Sequence, residues 1–267
     1  MLKARVLTAL LMLPLFLAAL FYLPANGWML FVAIVLLVAW DEWLRLTNIS
    51  SIPRRVLGAL LFCAALVGLL WFTPTVWWVV IPSLCLWLLF YVVTFFVQDG
   101  FFWSSGFRRL SGFLVLTCAW WTICWLRAQW YGAWWTLGFL VIIWMADVGA
   151  YFFGKRFGRN KLAPAISPGK TIEGALGGLS MVLLVTLVTH HFYPILPILW
   201  VLPMTLLVAM VSIAGDLYES RLKRVGGHKD SGSILPGHGG VLDRIDGVLA
   251  GLPVFIYLVL NMGVFSV

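Results

Sequence analysis

The chain has 267 residues, of which 63% are hydrophobic and only 10% are charged, and its formal net charge is +8. Soluble domains carry about 25% charged residues, so this composition excludes a soluble globular protein. Several apolar runs reach the roughly 20 residues that a helix needs to cross a bilayer. These runs are continuous rather than alternating, which predicts membrane-spanning helices and argues against a β-barrel.

The apolar runs predict an all-α, polytopic integral membrane protein with about nine transmembrane helices. The predicted spans are residues 6–23, 27–44, 55–72, 76–97, 110–128, 133–153, 172–190, 197–217 and 241–263. We divide the chain into two regions. Residues 1–130 form an N-terminal region of supporting helices embedded in lipid, and residues 131–267 form a C-terminal catalytic region with its polar motifs on one side of the membrane.

The positive charges predict the orientation of these spans. Of the 18 Lys and Arg residues, all except Arg127 fall on the side of the N-terminus. The positive-inside rule makes that side cytoplasmic, so we expect the N-terminus inside and the C-terminus outside. The turns on the other side are rich in tryptophan, as expected for an interfacial aromatic belt. Topology and attraction to anionic lipids account for the net positive charge, and we expect no nucleic acid as a partner.

Acidic residues within the spans are the first candidates for function, because a carboxylate inside a bilayer costs about 2.5–3.5 kcal/mol on insertion scales. Asp147 lies within span 6. The alternative to a functional role is that it only pairs with a residue on a neighbouring helix. A helix C-terminus that favours cations explains Lys223 and Arg224 at the end of span 8, but it does not explain Asp216, which lies deeper. A polar stripe at helical spacing contains Ser212, Asp216, Glu219, Ser220 and Lys223.

Span 9 opens with the sequence DRIDG. Asp243 and Asp246 are spaced i, i+3, so a helix places both carboxylates on the same face. Two aligned carboxylates suit a hard cation, and Mg²⁺ is typically held by one or two carboxylates together with substrate phosphates. The alternative is a pair of capping acids that the helix N-terminus stabilises.

A glycine-rich turn precedes span 9. Glycines let the backbone approach a ligand closely, and successive N–H groups can form an anion-binding nest. His238 lies among these glycines, where it binds phosphate, transfers a proton or only shapes the loop, and these interpretations stay open. Lys229 and Asp230 add a cation and a carboxylate. The glycines are Gly237, Gly239 and Gly240.

The loop before span 7 is the second basic element. Its SPGKT segment resembles half of a phosphate-binding loop, but Pro164 stands where a Walker A motif requires glycine. Lys170 remains a candidate clamp for a triphosphate or a lipid phosphate. For Arg156 and Arg159 we favour a role in setting topology.

From Ser220 to Asp246, the sequence SRLKRVGGHKDSGSILPGHGGVLDRID resembles the signature of the phosphatidate cytidylyltransferases, also called CDP-diacylglycerol synthases. The pattern is S-x-hydrophobic-K-R, four residues, K-D, and then H-G-G-hydrophobic-x-D-R-x-D, and every fixed position matches. The segment DVGAYFFGKRFGRNKLAPAISPGKTIEG also resembles this family, so the resemblance covers roughly residues 140–267. The earlier helices match only in hydropathy and in the Glu42-Trp43 pair.

The resemblance implies a nucleotidyltransferase of phospholipid biosynthesis in the inner cell membrane. Its substrates would be CTP and phosphatidic acid, drawn from the membrane lipids, and its products CDP-diacylglycerol and diphosphate. Asp243 and Asp246 would hold Mg²⁺, with Asp216 as a further ligand or as a ligand to a second cation. The implied catalytic residues are Asp243, Asp246, Lys229 and His238, and the implied substrate-binding residues are Ser220, Lys223, Arg224, Lys170, Gly239 and Gly240. Additional candidates are Asp147, Asp230 and Arg244, the last of which is also placed to pair with a carboxylate.

Two other functions compete with this one. A CTP-dependent polyprenol or phytol kinase would share the membrane helices, Mg²⁺ and the nucleotide, but it would transfer the γ-phosphate to an alcohol. A transporter would use Asp147 and Asp216 in an ion path, although the chain has no inverted repeat and its acids cluster at one face. The sequence leaves open the acyl-chain preference, the use of dCTP and the oligomeric state, a homodimer included.

Overall fold

The structure is a computed structural model that describes residues 2–234 and 239–265, with side chains from residue 10 onward. This part of the chain forms nine α-helices, a short 3-10 helix at Phe101–Trp103 and two short strands, which confirms the all-α prediction. The helices are α1 Leu2–Tyr22, α2 Ala25–Leu46, α3 Ile52–Phe72, α4 Val76–Phe96, α5 Ser105–Ala128, α6 Gly132–Phe157, α7 Ile172–Phe192, α8 Ile198–Val225 and α9 Leu242–Asn261.

Six of the described helices, α3 to α8, are long and apolar enough to cross a membrane. The helix α1 has a shorter apolar stretch, Leu10–Tyr22. The chain is therefore a membrane protein, as its composition predicts, and the number of nine crossings stays a prediction. Several helices extend beyond the predicted spans on the charged side; among them, α6 continues to Phe157 and α8 continues to Val225. The whole polar stripe of span 8 thus lies on one continuous helix.

A β-hairpin between α6 and α7 was not predicted. Its strands, β1 Lys161–Ala163 and β2 Ser167–Thr171, are antiparallel, with Lys161 opposite Thr171 and Ala163 opposite Ser167. Two contacts fix the hairpin to the start of α7. The Thr171 hydroxyl accepts a hydrogen bond from the N–H of Gly174 at 3.1 Å, and the Glu173 carboxylate accepts one from the N–H of Arg159 at 3.0 Å.

The helices α6 and α7, which flank the hairpin, pack with their backbones in close contact. A Cβ atom added to Gly149 of α6 would lie 2.6 Å from the carbonyl oxygen of Gly177 in α7. A Cβ atom added to Gly178 would likewise lie 2.6 Å from the carbonyl oxygen of Ala146. Small residues allow such close helix contacts in membranes, where apolar surface gives little drive for association.

Gly149→Ala should therefore reduce stability by about 1–3 kcal/mol, because an added methyl group forces the two backbones apart. Gly138→Ala, on the same helix, is the matched control, since a Cβ atom there meets nothing within 4 Å. We expect this control to be as stable as the parent or up to about 1 kcal/mol more stable, from helix propensity alone. Thermal melts in detergent measure both variants, and equal melting temperatures would contradict the close contact.

One buried apolar cluster joins the two regions predicted from the sequence. It includes Trp43 of α2, Leu222 of α8 and Leu242 of α9. Hydrogen bonds reinforce it at the charged end of α2. The Trp43 indole donates to the carbonyl of Arg108 at 2.8 Å, and the buried Arg108 guanidinium donates to the carbonyl of Leu46 at 3.0 Å. The N-terminal helices thereby fix the end of the protein that carries the polar motifs.

Arg221 ties α8 to the turn after α4 in a similar way. Its guanidinium donates to the carbonyls of Val97 at 2.6 Å and Gln98 at 3.0 Å, and it lies 4.7 Å from the centre of the Trp103 ring. This arginine and Arg108 contribute to the predicted charge asymmetry. The structure gives both a second role, because they satisfy backbone carbonyls at helix ends.

Candidate active site

Three carboxylates from α8 and α9 converge at the charged end of the bundle. Asp216, Glu219 and Asp246 each place one carboxylate oxygen within 4.8 Å of the others. Asp216 and Glu219 share a face of α8 because they are spaced i, i+3. The helix α9 reaches them because Gly215 faces Ala250, where any larger residue at position 215 would collide with the Ala250 side chain.

The residues of this group fit a divalent cation. Glu219 is buried, with 3% of its surface exposed, and its Oε1 atom has no hydrogen-bond partner among the described residues. A buried polar atom without a partner is costly, and a bound cation would satisfy it. Carboxylate oxygens are also the ligands that Mg²⁺ prefers in proteins. The sequence singled out Asp243, Asp246 and Asp216 as ligands. The structure groups Asp216 and Asp246 with Glu219 instead of Asp243, and the sequence had placed Glu219 only in the polar stripe of span 8, although its spacing from Asp216 signals a shared face.

Lys223 joins this group to Asp243. Its ammonium lies 2.7 Å from a carboxylate oxygen of Glu219 and 2.7 Å from one of Asp243. Asp243 also accepts hydrogen bonds from the N–H groups of Gly240 at 2.9 Å and Ser231 at 3.1 Å. The two aspartates of the DRIDG motif thus have different surroundings. Asp246 lies with the acids of α8, whereas Asp243 binds the lysine and the loop before α9.

The β-hairpin contributes Lys170 to the other side of the group. Its ammonium lies 2.6 Å from the Asp216 carboxylate, and the Ser220 hydroxyl donates to the same carboxylate at 3.3 Å. Asp147 of α6 interacts electrostatically with Asp216, Lys170 and Arg244. The acids and cations predicted from three separate segments therefore meet around Asp216.

The remaining candidates lie in or beside the loop between α8 and α9. Arg224, Lys229 and Asp230 are exposed. Gly239 has a φ of +80°, and a Cβ atom there would lie 2.6 Å from a carboxylate oxygen of Asp243, so the backbone requires glycine at this position. Residues 235–238, which include His238, lie outside the described residues.

Glu42 of α2 reaches the same loop from the N-terminal region. It is buried, with 1% of its surface exposed. Its carboxylate accepts hydrogen bonds from the N–H groups of Val241 at 3.0 Å and Leu242 at 2.8 Å, and from the Ser231 hydroxyl at 3.1 Å. The sequence noted Glu42 only as part of an acid-tryptophan pair and gave it no place in the site.

Comparison with known proteins places these residues in a family context. A sequence model of the cytidylyltransferase family matches residues 3–262. A phosphatidate cytidylyltransferase from Pseudomonas aeruginosa is 40% identical over 98% of both chains. One of the same name from Staphylococcus aureus is 48% identical over 45% of this chain and 47% of its own. Another, from Haemophilus influenzae, is 42% identical over 48% of this chain and 46% of its own. These matches confirm the resemblance seen in the signature.

Proposed function

Because the chain belongs to the cytidylyltransferase family, we propose that it transfers the cytidylyl group of CTP to phosphatidate. The products are CDP-diacylglycerol and diphosphate, an activated lipid for phospholipid biosynthesis. The observation that carries this proposal is the carboxylate group of Asp216, Glu219 and Asp246 at the charged end of a membrane protein, with Asp246 inside the family signature and the other two just before it. A site at that boundary suits one substrate held in lipid and another that arrives from water.

The chemistry is an in-line displacement at the α-phosphorus of CTP. A phosphate oxygen of phosphatidate forms the new P–O bond, and the bond from the α-phosphorus to the bridging oxygen of the β-phosphate breaks, so that diphosphate leaves. The attacking phosphate is already anionic, and the reaction therefore needs no general base. Positioning and charge stabilisation dominate such transfers.

The side chains of the site divide this work between acids and cations. Asp216, Glu219 and Asp246 would hold Mg²⁺, which when bound supplies positive charge to the phosphates of CTP. Asp243 keeps Lys223 in place beside Glu219. Lys170 on the hairpin and the exposed Arg224 and Lys229 are cations for the phosphates.

The position of the CTP phosphorus that enters the lipid distinguishes a cytidylyltransferase, which transfers the α-phosphorus, from a lipid kinase, which transfers the γ-phosphorus. Purified protein is incubated with phosphatidate, a polyprenol or phytol as the alcohol acceptor, Mg²⁺ and CTP labelled at either the α- or the γ-phosphorus, and the lipid is then extracted. We expect the α-label in the lipid and the γ-label in free diphosphate. A γ-label in the lipid would favour a kinase, and no label from either nucleotide would reject both enzymes.

We also propose an inner-membrane location with the N-terminus in the cytoplasm and the C-terminus outside. The charge asymmetry supports this orientation. In a variant without Cys63, Cys85, Cys118 and Cys124, a cysteine replaces either Gly169 of the hairpin, where a side chain meets nothing within 4 Å, or the exposed Trp130. A membrane-impermeant maleimide should label intact spheroplasts only at position 130. Labelling of position 169 from outside would contradict the proposed orientation and indicate the opposite one.

A further inference from the structure

Glu42 links the N-terminal helices to the loop that leads into α9. The N–H groups of Val241 and Leu242 stand at the start of that helix, where backbone donors lack intrahelical partners. The Oε1 atom of Glu42 accepts a hydrogen bond from the N–H of Val241. The Oε2 atom accepts one from the N–H of Leu242 and another from the Ser231 hydroxyl. One side chain therefore holds both ends of the segment 231–242.

The loop closes tightly around this carboxylate. A Cβ atom on Gly240 would lie 2.5 Å from the Glu42 Oε2 atom, and one on Gly232 would collide with the Oε1 atom. Glycines on opposite arms of the loop thus leave room for one acid, and at Gly240 also for the Ser231 hydroxyl. This is a reason for glycine at position 240 that is independent of phosphate binding.

A chain of hydrogen bonds runs from Glu42 to the carboxylate group of the active site. The hydroxyl of Ser231 donates to Glu42 and accepts from the N–H of Asp243 at 3.3 Å. The N–H of Ser231 donates to the Asp243 carboxylate. Asp243 in turn binds Lys223, which binds Glu219. A shift of the loop would therefore move Asp243 and Lys223 with it.

We propose that Glu42 is a positioning residue for the active site. It fixes the two described arms of the loop, residues 231–234 and 239–241, and the first turn of α9, so that this backbone and Lys223 are ready to receive the nucleotide and its metal. The effect on catalysis rests on the proposed function, whereas the effect on the loop does not. An α2 residue far from the signature in sequence thereby controls the signature's conformation.

Glu42→Gln tests this role with little change of shape. The glutamine amide has one acceptor oxygen, so its NH₂ group would face one of the two backbone N–H donors. The matched control is Asp41→Asn, because the neighbouring Asp41 pairs with Arg45 at 3.0 Å and Arg55 at 2.5 Å and, among the described residues, with none of the loop. Two quantities are measured: amide hydrogen exchange of the segment 229–242 without ligands, and KM and kcat for CTP over a range of Mg²⁺ concentrations.

We expect Glu42→Gln to speed exchange in the segment 229–242 by about 10-fold or more and to raise KM for CTP by about 10-fold or more, since losses among outer-shell contacts have effects of about 10–100-fold. The kcat value should fall less, and Asp41→Asn should leave both readouts unchanged. Ser231→Ala, which removes one hydroxyl from the same chain of bonds, should raise KM in the same direction and serves if Glu42→Gln does not fold.

Unchanged exchange and unchanged KM in folded Glu42→Gln would overturn the proposal. So would a loss of kcat that follows only the fraction of unfolded protein while KM stays constant. If the parent protein transfers no cytidylyl group, the proposed function fails, and the exchange measurement still decides whether Glu42 fixes the loop.

Discussion

Asp246→Asn should reduce Mg²⁺-dependent turnover by at least about 100-fold and leave the fold intact. The outer-shell partners of a metal already contribute roughly 10–100-fold to affinity or activity, and we propose Asp246 as a direct ligand together with Asp216 and Glu219, whose carboxylate oxygens lie within 4.8 Å of its own. A neutral amide is a poor ligand for Mg²⁺ beside carboxylates. The local structure should persist, because an asparagine oxygen can still accept the N–H of Gly247, which the Asp246 carboxylate accepts at 2.7 Å.

Turnover is measured against Mg²⁺ concentration, with Mn²⁺ binding by electron paramagnetic resonance as a readout that needs no catalysis. High Mg²⁺ should partly rescue Asp246→Asn and not the double variant with Asp216→Asn. Asp99→Asn is the control, since Asp99 is an exposed acid outside the carboxylate group. Near-normal turnover and Mn²⁺ binding by folded Asp246→Asn would exclude Asp246 as a ligand.

Lys223→Met should cause the largest loss of stability among the variants considered, about 3–5 kcal/mol, which is typical when one partner of a buried ion pair is removed. The Lys223 side chain is 12% exposed, and its partners Glu219 and Asp243 are 3% and 8% exposed. Without the ammonium, two buried carboxylates would face each other. Thermal and denaturant unfolding in detergent measure the loss.

A double-mutant cycle separates this electrostatic effect from a loss of packing. Adding Glu219→Gln to Lys223→Met removes one of the two carboxylates and should recover part of the stability, so the two changes should not add. Lys155→Met is the control on an exposed lysine, with an expected change within about 0.5 kcal/mol. Strict additivity in the cycle, or a loss of stability for Lys223→Met as small as that of the control, would show that the ion pairs of Lys223 with Glu219 and Asp243 do not stabilise the fold.

Hydropathy predicted the helices well because the lipid-embedded part of a helix must be apolar over its whole length. It underestimated α8, whose last turns leave the apolar region but remain helical to Val225. The hairpin of Lys161–Ala163 and Ser167–Thr171 was missed for a related reason. Its strands are short and partly charged, and what stabilises them are contacts with α7 that no local pattern reveals.

The candidate site was predicted in part. The depth of Asp216 in span 8 and the i, i+3 spacing of Asp246 from Asp243 pointed to two members of the carboxylate group. Helical spacing alone could not separate Asp246 from Asp243, because Asp243 lies in the first turn of α9, where free N–H groups of the preceding loop attract its carboxylate. Glu42 was out of reach because its partners are about 200 residues away in sequence.

The long sequence separation between Glu42 and its partners has a consequence for biogenesis. The hydrogen bonds to Val241 and Leu242 span 199 and 200 residues. At ribosomal rates of about 5–20 residues per second, α2 waits roughly 10–40 s after its own synthesis before these partners leave the ribosome. During that interval the Glu42 carboxylate must find water or another temporary partner at the membrane surface. A nascent chain that stalls before α9 carries α1 to α8 but lacks Asp246, so its carboxylate group is incomplete and the enzyme becomes active only after α9 is inserted.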